Sequence, residues 1–271
     1  MARLDANFVT ARVGPDGGAL VLIPGLGGDP GELAALAAGV AGDCAVLVLD
    51  LRGLAEKAGD DIRVESLARL AFEALSRSKH DQVRAFAGFS FGGLVALELA
   101  RLARAQHGSE PVLVLIDSAP EQSHWPRSVW LRSVRARTIG RIKSLRGRSL
   151  GSAVAEVASR AVRLAIRFRR RGAKPGSGSA PGFAAATLNP LVQAYDRYAP
   201  AFYPGRAILL ESTASALFTG ALPDIWRPLT AGLERHCLPG DHLDLLRAPV
   251  SLACLTARLN ACLGLAVSPP L

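Results

Sequence analysis

The sequence has no apolar run long enough to cross a bilayer. Its one charge-free stretch of sufficient length, Pro175 to Tyr195, is broken by Pro, Gly, Ser and Asn, whereas a spanning helix needs about 20 consecutive, mostly apolar residues. The first 20 residues contain no apolar run behind a basic start, so a secretory signal is disfavoured and a cytoplasmic location without membrane attachment is expected. Cysteine is scarce. Cys44, Cys237, Cys254 and Cys262 show neither metal-type nor redox-type spacing and are expected to be small buried hydrophobes, forming no disulfide and binding no metal. The glycine-rich stretch Pro24-Gly25-Leu26-Gly27-Gly28 lacks the Gly-Lys-Ser/Thr ending of a P-loop and the glycine spacing of a dinucleotide fingerprint, which argues against a nucleotide cofactor. No internal repeat is visible.

Acidic residues are nearly missing from one region. Between Arg127 and Lys174 there are 15 Lys or Arg and a single acid, Glu156, while the rest of the chain carries 17 basic and 22 acidic side chains. The overall charge of +9 is therefore concentrated in one segment on a mildly acidic body. Such a distribution suits a docking patch or a solvated face better than a nucleic-acid-binding domain.

At 271 residues and 49% apolar, the chain is long enough for one large α/β domain. Ala19 to Ile23, Ala45 to Leu49, Val83 to Phe89 and Val112 to Ile116 are short apolar runs that read as central strands of a parallel sheet. Helical patterns at Gly31 to Ala41, Val64 to Ser76 and Phe91 to His107 separate them. This alternation demands right-handed crossovers and a sheet covered on both faces. It stops after Pro120 and resumes with Ala207 to Glu211 as a strand, Asp224 to Leu233 as a helix, Arg235 to Leu238 as a strand and Val250 to Leu263 as a closing helix. The segment from about 122 to 186 is thus an insertion into a single doubly wound domain.

The chemistry is expected where strands end. Gly88-Phe89-Ser90-Phe91-Gly92 places a serine at a bend between strand and helix, the arrangement of a nucleophile elbow. Gly88 and Gly92 stand where side chains would collide, and Gly93 lets the helix begin close to the strand. In an open parallel sheet the carboxyl ends of the strands share one edge. Ser90, Asp117 after Val112 to Ile116, and His242 in Pro239-Gly240-Asp241-His242 all fall there. A serine hydroxyl needs a neutral imidazole to accept its proton and a carboxylate to orient that imidazole. Glu211, ending the next strand, is the rival for the acid, and Asp241 is expected to shape the loop. His80 and His107 are expected to be solvated at helix ends, His124 opens the insert, and His236 lies within a strand. An oxyanion formed by attack of Ser90 requires backbone donors already in place, and the amides of Leu26 and Phe91 are the candidates.

With these residues in hand, the chain resembles the thioesterase domains of nonribosomal peptide and polyketide synthases, within the α/β-hydrolase superfamily. The resemblance runs nearly end to end. It is carried by Leu22-Ile23-Pro24-Gly25-Leu26-Gly27-Gly28, Asp50-Leu51-Arg52-Gly53, Ala87-Gly88-Phe89-Ser90-Phe91-Gly92-Gly93, Leu115-Ile116-Asp117, Tyr203-Pro204-Gly205-Arg206, Trp226-Arg227-Pro228-Leu229 and Pro239-Gly240-Asp241-His242. It implies an acyl, polyketide or peptidyl chain carried as a thioester on the phosphopantetheine arm of an acyl or peptidyl carrier protein. That chain would pass to Ser90 and leave by hydrolysis or cyclisation. It also implies that the insertion is a helical lid and that the carrier partner is acidic. Asp117 resembles the acid position of chain-terminating domains, whereas free-standing editing thioesterases usually place theirs after the following strand. A general esterase or lipase-like hydrolase, a non-catalytic binding module and a binder of anionic surfaces are the competing readings.

Overall fold

The structure, a computed structural model, describes residues 2–5, 8–12, 14, 18–60, 62–78, 82–108, 110–134, 189–219 and 222–265. Most of the expected insertion, including its basic arginine run, lies outside the described residues. The four apolar runs are strands with the expected bounds: β3 (Ala19–Ile23), β4 (Ala45–Leu49), β5 (Val83–Phe89) and β6 (Val112–Ile116). Two antiparallel strands precede them, β1 (Ala2–Asp5) and β2 (Phe8–Arg12), and two parallel strands follow, β7 (Tyr203–Ser212) and β8 (Thr230–Leu238). Together they form an eight-stranded sheet in the order β1-β2-β4-β3-β5-β6-β7-β8, parallel from β4 onward.

Every residue of β3 and of β4 is buried, as a central strand covered on both faces requires. Alternate residues feed separate cores: Val21 and Ile23 pack on one side of the sheet, Leu20 and Leu22 on the other. Helices α1 (Ala34–Gly39), α2 (Leu51–Ala58), α3 (Val64–Ser76) and α4 (Gly92–His107) connect the parallel strands. The helix α5 (Pro190–Arg197) begins just beyond the undescribed stretch, and Pro249–Cys262 closes the chain. No described helix is long and apolar enough to cross a membrane.

Several expectations need correction. The region Asp224 to Leu233 is not one helix, because Leu222–Trp226 is helical, Arg227–Leu229 makes a tight turn of 3-10 helix and β8 starts at Thr230. Pro228 offers no amide to continue a helix, and residues from Thr230 onward pair instead with β7, as in Leu233 opposite Ala207. Both late strands are longer than expected. Helix α2 was not anticipated. Asp50 caps it by accepting from the Gly53 amide at 3.0 Å, but Gly53 within its first turn weakens the helical signal. The cysteines are not uniformly buried: Cys44 is, Cys237 is exposed, and Cys254 and Cys262 are in between.

Candidate active site

Ser90 lies one residue beyond β5 with φ of 54°, and Asp117 lies one residue beyond β6 with φ of 48°. Among the described residues these are the two non-glycine positions in the left-handed region. That conformation is strained for a side-chain-bearing residue and persists only when its surroundings enforce it. Here neighbouring strands do so: the Ser90 amide donates to the Ile116 carbonyl and the Asp117 amide to the Leu210 carbonyl, both at 2.8 Å. The glycines around Ser90 act as expected. A Cβ on Gly88 would stand 2.1 Å from the Gly92 carbonyl oxygen, and one on Gly92 would stand 2.3 Å from that of Ile23. Backbone packs on backbone at this elbow, which leaves no room for a methyl group.

The structure brings His242 and Asp117 together across 125 residues of sequence, with Nδ1 of the imidazole 2.8 Å from Oδ2 of the carboxylate. An ionised carboxylate only accepts hydrogen bonds, so Nδ1 carries the proton and Nε2 is the basic nitrogen. The His242 ring stacks on Phe89, the residue before Ser90, with centroids 4.7 Å apart, which places the imidazole beside the elbow. Asp241 shapes this loop by accepting from the amides of Leu243 and Asp244 at 2.8 and 2.9 Å.

Asp117 is buried and receives more bonds than sequence reasoning foresaw. The Ser212 amide donates to Oδ1 at 3.0 Å, while the hydroxyls of Ser212 and Ser215 donate to Oδ2 at 3.1 and 2.8 Å. Burial alone would raise its pKa, but the hydrogen bonds from His242, the Ser212 amide and Ser215 outweigh burial and hold it below the usual carboxylate value. Ser212 directly follows Glu211 at the end of the strand neighbouring Asp117. That adjacency was the one cue available for it. Glu211 is buried against the Arg235 guanidinium. Burial pushes its pKa up, the arginine opposes that rise, and the Asp117 charge adds to it.

Gly25 to Gly28 forms a turn closed by the Gly28 amide donating to the Gly25 carbonyl at 3.0 Å. A Cβ on Gly25 would stand 3.5 Å from Cβ of Ser90, so this turn abuts the elbow. The nearby amides of Gly25, Gly28, Ser90 and Gly93 are engaged with Glu32, Gly25, Ile116 and Ser90 respectively. Those of Leu26 and Phe91 are not among the donors so engaged.

One described group offers three ligand atoms to a metal ion: Glu234, His236 and Cys262, within 4.8 Å of one another. Glu234 is already met by Arg206 Nη2 and His236 Nε2, each at 2.7 Å. Arg206, followed by His236, lowers its pKa. A guanidinium at this carboxylate opposes a metal cation, and the cluster reads as an ion-pair network joining β7 to β8.

The sheet order, the strained elbow and the site at the strand ends define an α/β hydrolase. The family model described as thioesterase domain matches residues 19–256, and the chain belongs to that family. Among solved structures, the NocB thioesterase domain from the nocardicin cluster, in covalent complex with a fluorophosphonate nocardicin G analog, is 23% identical. That match covers 95% of this chain and 99% of that one, with a TM-score of 0.58. RedJ is 24% identical over 90% of this chain and 92% of its own, at a TM-score of 0.58. The four-domain nonribosomal peptide synthetase AB3403 matches 94% of this chain with 20% of its own length, at 20% identity and a TM-score of 0.59. Identities this low show the shared fold alone. No curated protein matches this chain.

Proposed function

We propose that this thioesterase acts by acyl transfer through Ser90, with His242 as general base and Asp117 as the carboxylate that orients it. The observation that carries the reading is the 2.8 Å contact between His242 Nδ1 and Asp117 Oδ2 beside a serine held at φ of 54°. In the forward step Nε2 of His242 takes the Ser90 proton as Oγ attacks the thioester carbonyl. The C–S bond then breaks, the sulfur leaves as a thiol with the proton from His242, and the acyl group remains on Ser90. Water or an internal nucleophile of the chain, activated by the same nitrogen, completes release. The amides of Leu26 and Phe91 stabilise the oxyanion in both halves.

The substrate proposed is an acyl, polyketide or peptidyl chain on the phosphopantetheine of a carrier protein. Family membership and the likeness to synthase-borne domains support this choice. The pairing of His242 with Asp117 rather than Glu211 favours chain release over editing. The lid role of the insertion and the docking of an acidic carrier on its basic run belong to the same proposal. The test is mass spectrometry of the product from an acyl-carrier substrate, run beside a simple aryl ester. Free acid or lactone from the carrier substrate supports the reading, and turnover of the aryl ester alone points to a general esterase.

A further inference from the structure

The geometry points to Asn189 as a positioning residue for the oxyanion donors, an inference that rests on the acyl-transfer reading above. Asn189 is the N-cap of α5, and its side chain faces two ways. Oδ1 accepts from the Leu191 amide at 3.0 Å, while Nδ2 donates to the Leu26 carbonyl at 2.9 Å. The amide orientation is fixed by these partners, since the opposite one would set donor against donor and acceptor against acceptor.

The Leu26 amide shares its peptide plane with the Gly25 carbonyl. In a trans peptide these two groups point in opposite directions. Because the Gly25 carbonyl is turned inward to the Gly28 amide, the Leu26 N–H is directed out of the turn. Its direction holds only while the turn keeps its shape. The following peptide plane is the one Asn189 grips, through the Leu26 carbonyl. Glu32 holds the Gly25 amide at 2.9 Å, and Arg52 Nε donates to the Gly27 carbonyl at 2.6 Å. Three side chains from three elements thus fix a turn rich in glycine, which would otherwise have wide freedom. Asn189 is the one that grips the carbonyl of the donor residue itself.

The anchor is itself rigid. Tyr198, just past α5, donates to the buried Glu98 of α4 at 2.7 Å, and α4 begins at the elbow. The helix carrying Asn189 is therefore referenced to the same element that carries Ser90, so donor and nucleophile share one frame. Preorganised donors stabilise charge in the transition state only if they need not move to meet it.

Capping and clamping can be separated chemically. Asn189→Asp keeps a cap oxygen for the Leu191 amide but turns an oxygen toward the Leu26 carbonyl. Asn189→Ser keeps a neutral cap and is too short to reach Leu26. Asn189→Ala loses both functions. Each is treated with an alkyl fluorophosphonate and with a small acyl-pantetheine thioester. For Asp and Ser we expect kinact and kcat to fall about tenfold or more, as small misplacements of catalytic groups do, with KI, KM and the thermal midpoint near wild type. Ala should lose rate equally and lower the midpoint as well. Wild-type rates in the Asp and Ser variants would overturn the inference and leave Asn189 as a helix cap. Failure of the wild type to take label at Ser90 would overturn the acyl-transfer reading and this inference with it.

Discussion

Ser90 and Asp117 are built alike: each lies one residue past its strand, holds a positive φ, and gives its amide to the last stretch of the next strand, Ile116 and Leu210 respectively. The two side chains are thereby raised from one sheet edge by the same device. Neighbouring strands thus hold both strained residues in place.

The choice of acid is testable. Asp117→Asn should cut turnover of an acyl thioester by about 10⁴, because the amide favours the wrong imidazole tautomer. Glu211→Gln should have a minor effect, since Glu211 pairs with Arg235. Steady-state rates of the two variants decide it, and the reverse ranking would move the acid to Glu211.

Ser215→Ala should raise the pKa of Asp117 by removing one hydrogen bond to its charged form. A carboxyl depressed in the folded state stabilises the fold above its unfolded pKa, and that contribution is lost as pH falls through the folded value. The variant should lose stability at higher pH than the wild type during acid titration. At neutral pH it should be weaker by about 1.5–3 kcal/mol, the range for hydrogen bonds to charged groups. Denaturant midpoints between pH 3 and pH 7, an interval of about four units around the carboxylate range, would show this.

Gly92→Ala should destabilise at the upper end of single-residue effects, about 3 kcal/mol or more. The added methyl would meet the Ile23 and Pro24 carbonyl oxygens at 2.3 and 2.4 Å, and both are backbone atoms without freedom to retreat. Chemical denaturation of the purified variant, or its failure to accumulate as folded protein, is the measurement.

The basic segment makes a prediction from charge alone. Reversing Arg163, Arg167, Arg169 and Arg170, which lie outside the described residues, to glutamate should raise KM for an acidic acyl-carrier substrate and flatten its salt dependence. Turnover of a small pantetheine thioester should barely change. Equal loss on both substrates would instead make the arginines structural, and no change on either would make the run a solvated face.

How far the sequence revealed this molecule depended on burial. Strands β3, β4 and β6 are apolar throughout, β5 is so apart from the exposed Arg84 near its start, and turn residues bound them, so composition marks both ends. β8 runs Thr230-Ala231-Gly232-Leu233-Glu234-Arg235-His236-Cys237-Leu238 at the sheet edge with much of its length exposed, and an exposed edge carries little apolar signal. β2 buries only Phe8 and Thr10, too few for a pattern. The strand-end positions of Ser90 and Asp117 were legible because each directly follows a run of buried residues, and that of His242 because it lies in a glycine-marked loop behind a late strand. Ser212, Ser215 and Asn189 were not, because their value lies in contacts with chain 95, 98 and 163 residues away. Serine and asparagine in loops ordinarily serve turns and caps.

The central claim is that Ser90 carries the acyl group. Intact-protein mass spectrometry after rapid mixing with an acyl-pantetheine thioester, followed by peptide mapping, tests it most directly. The account predicts an adduct of the acyl mass on the peptide containing Ser90, and none in folded Ser90→Ala, which should also lose turnover. An adduct on another residue, or undiminished turnover by Ser90→Ala, would contradict it.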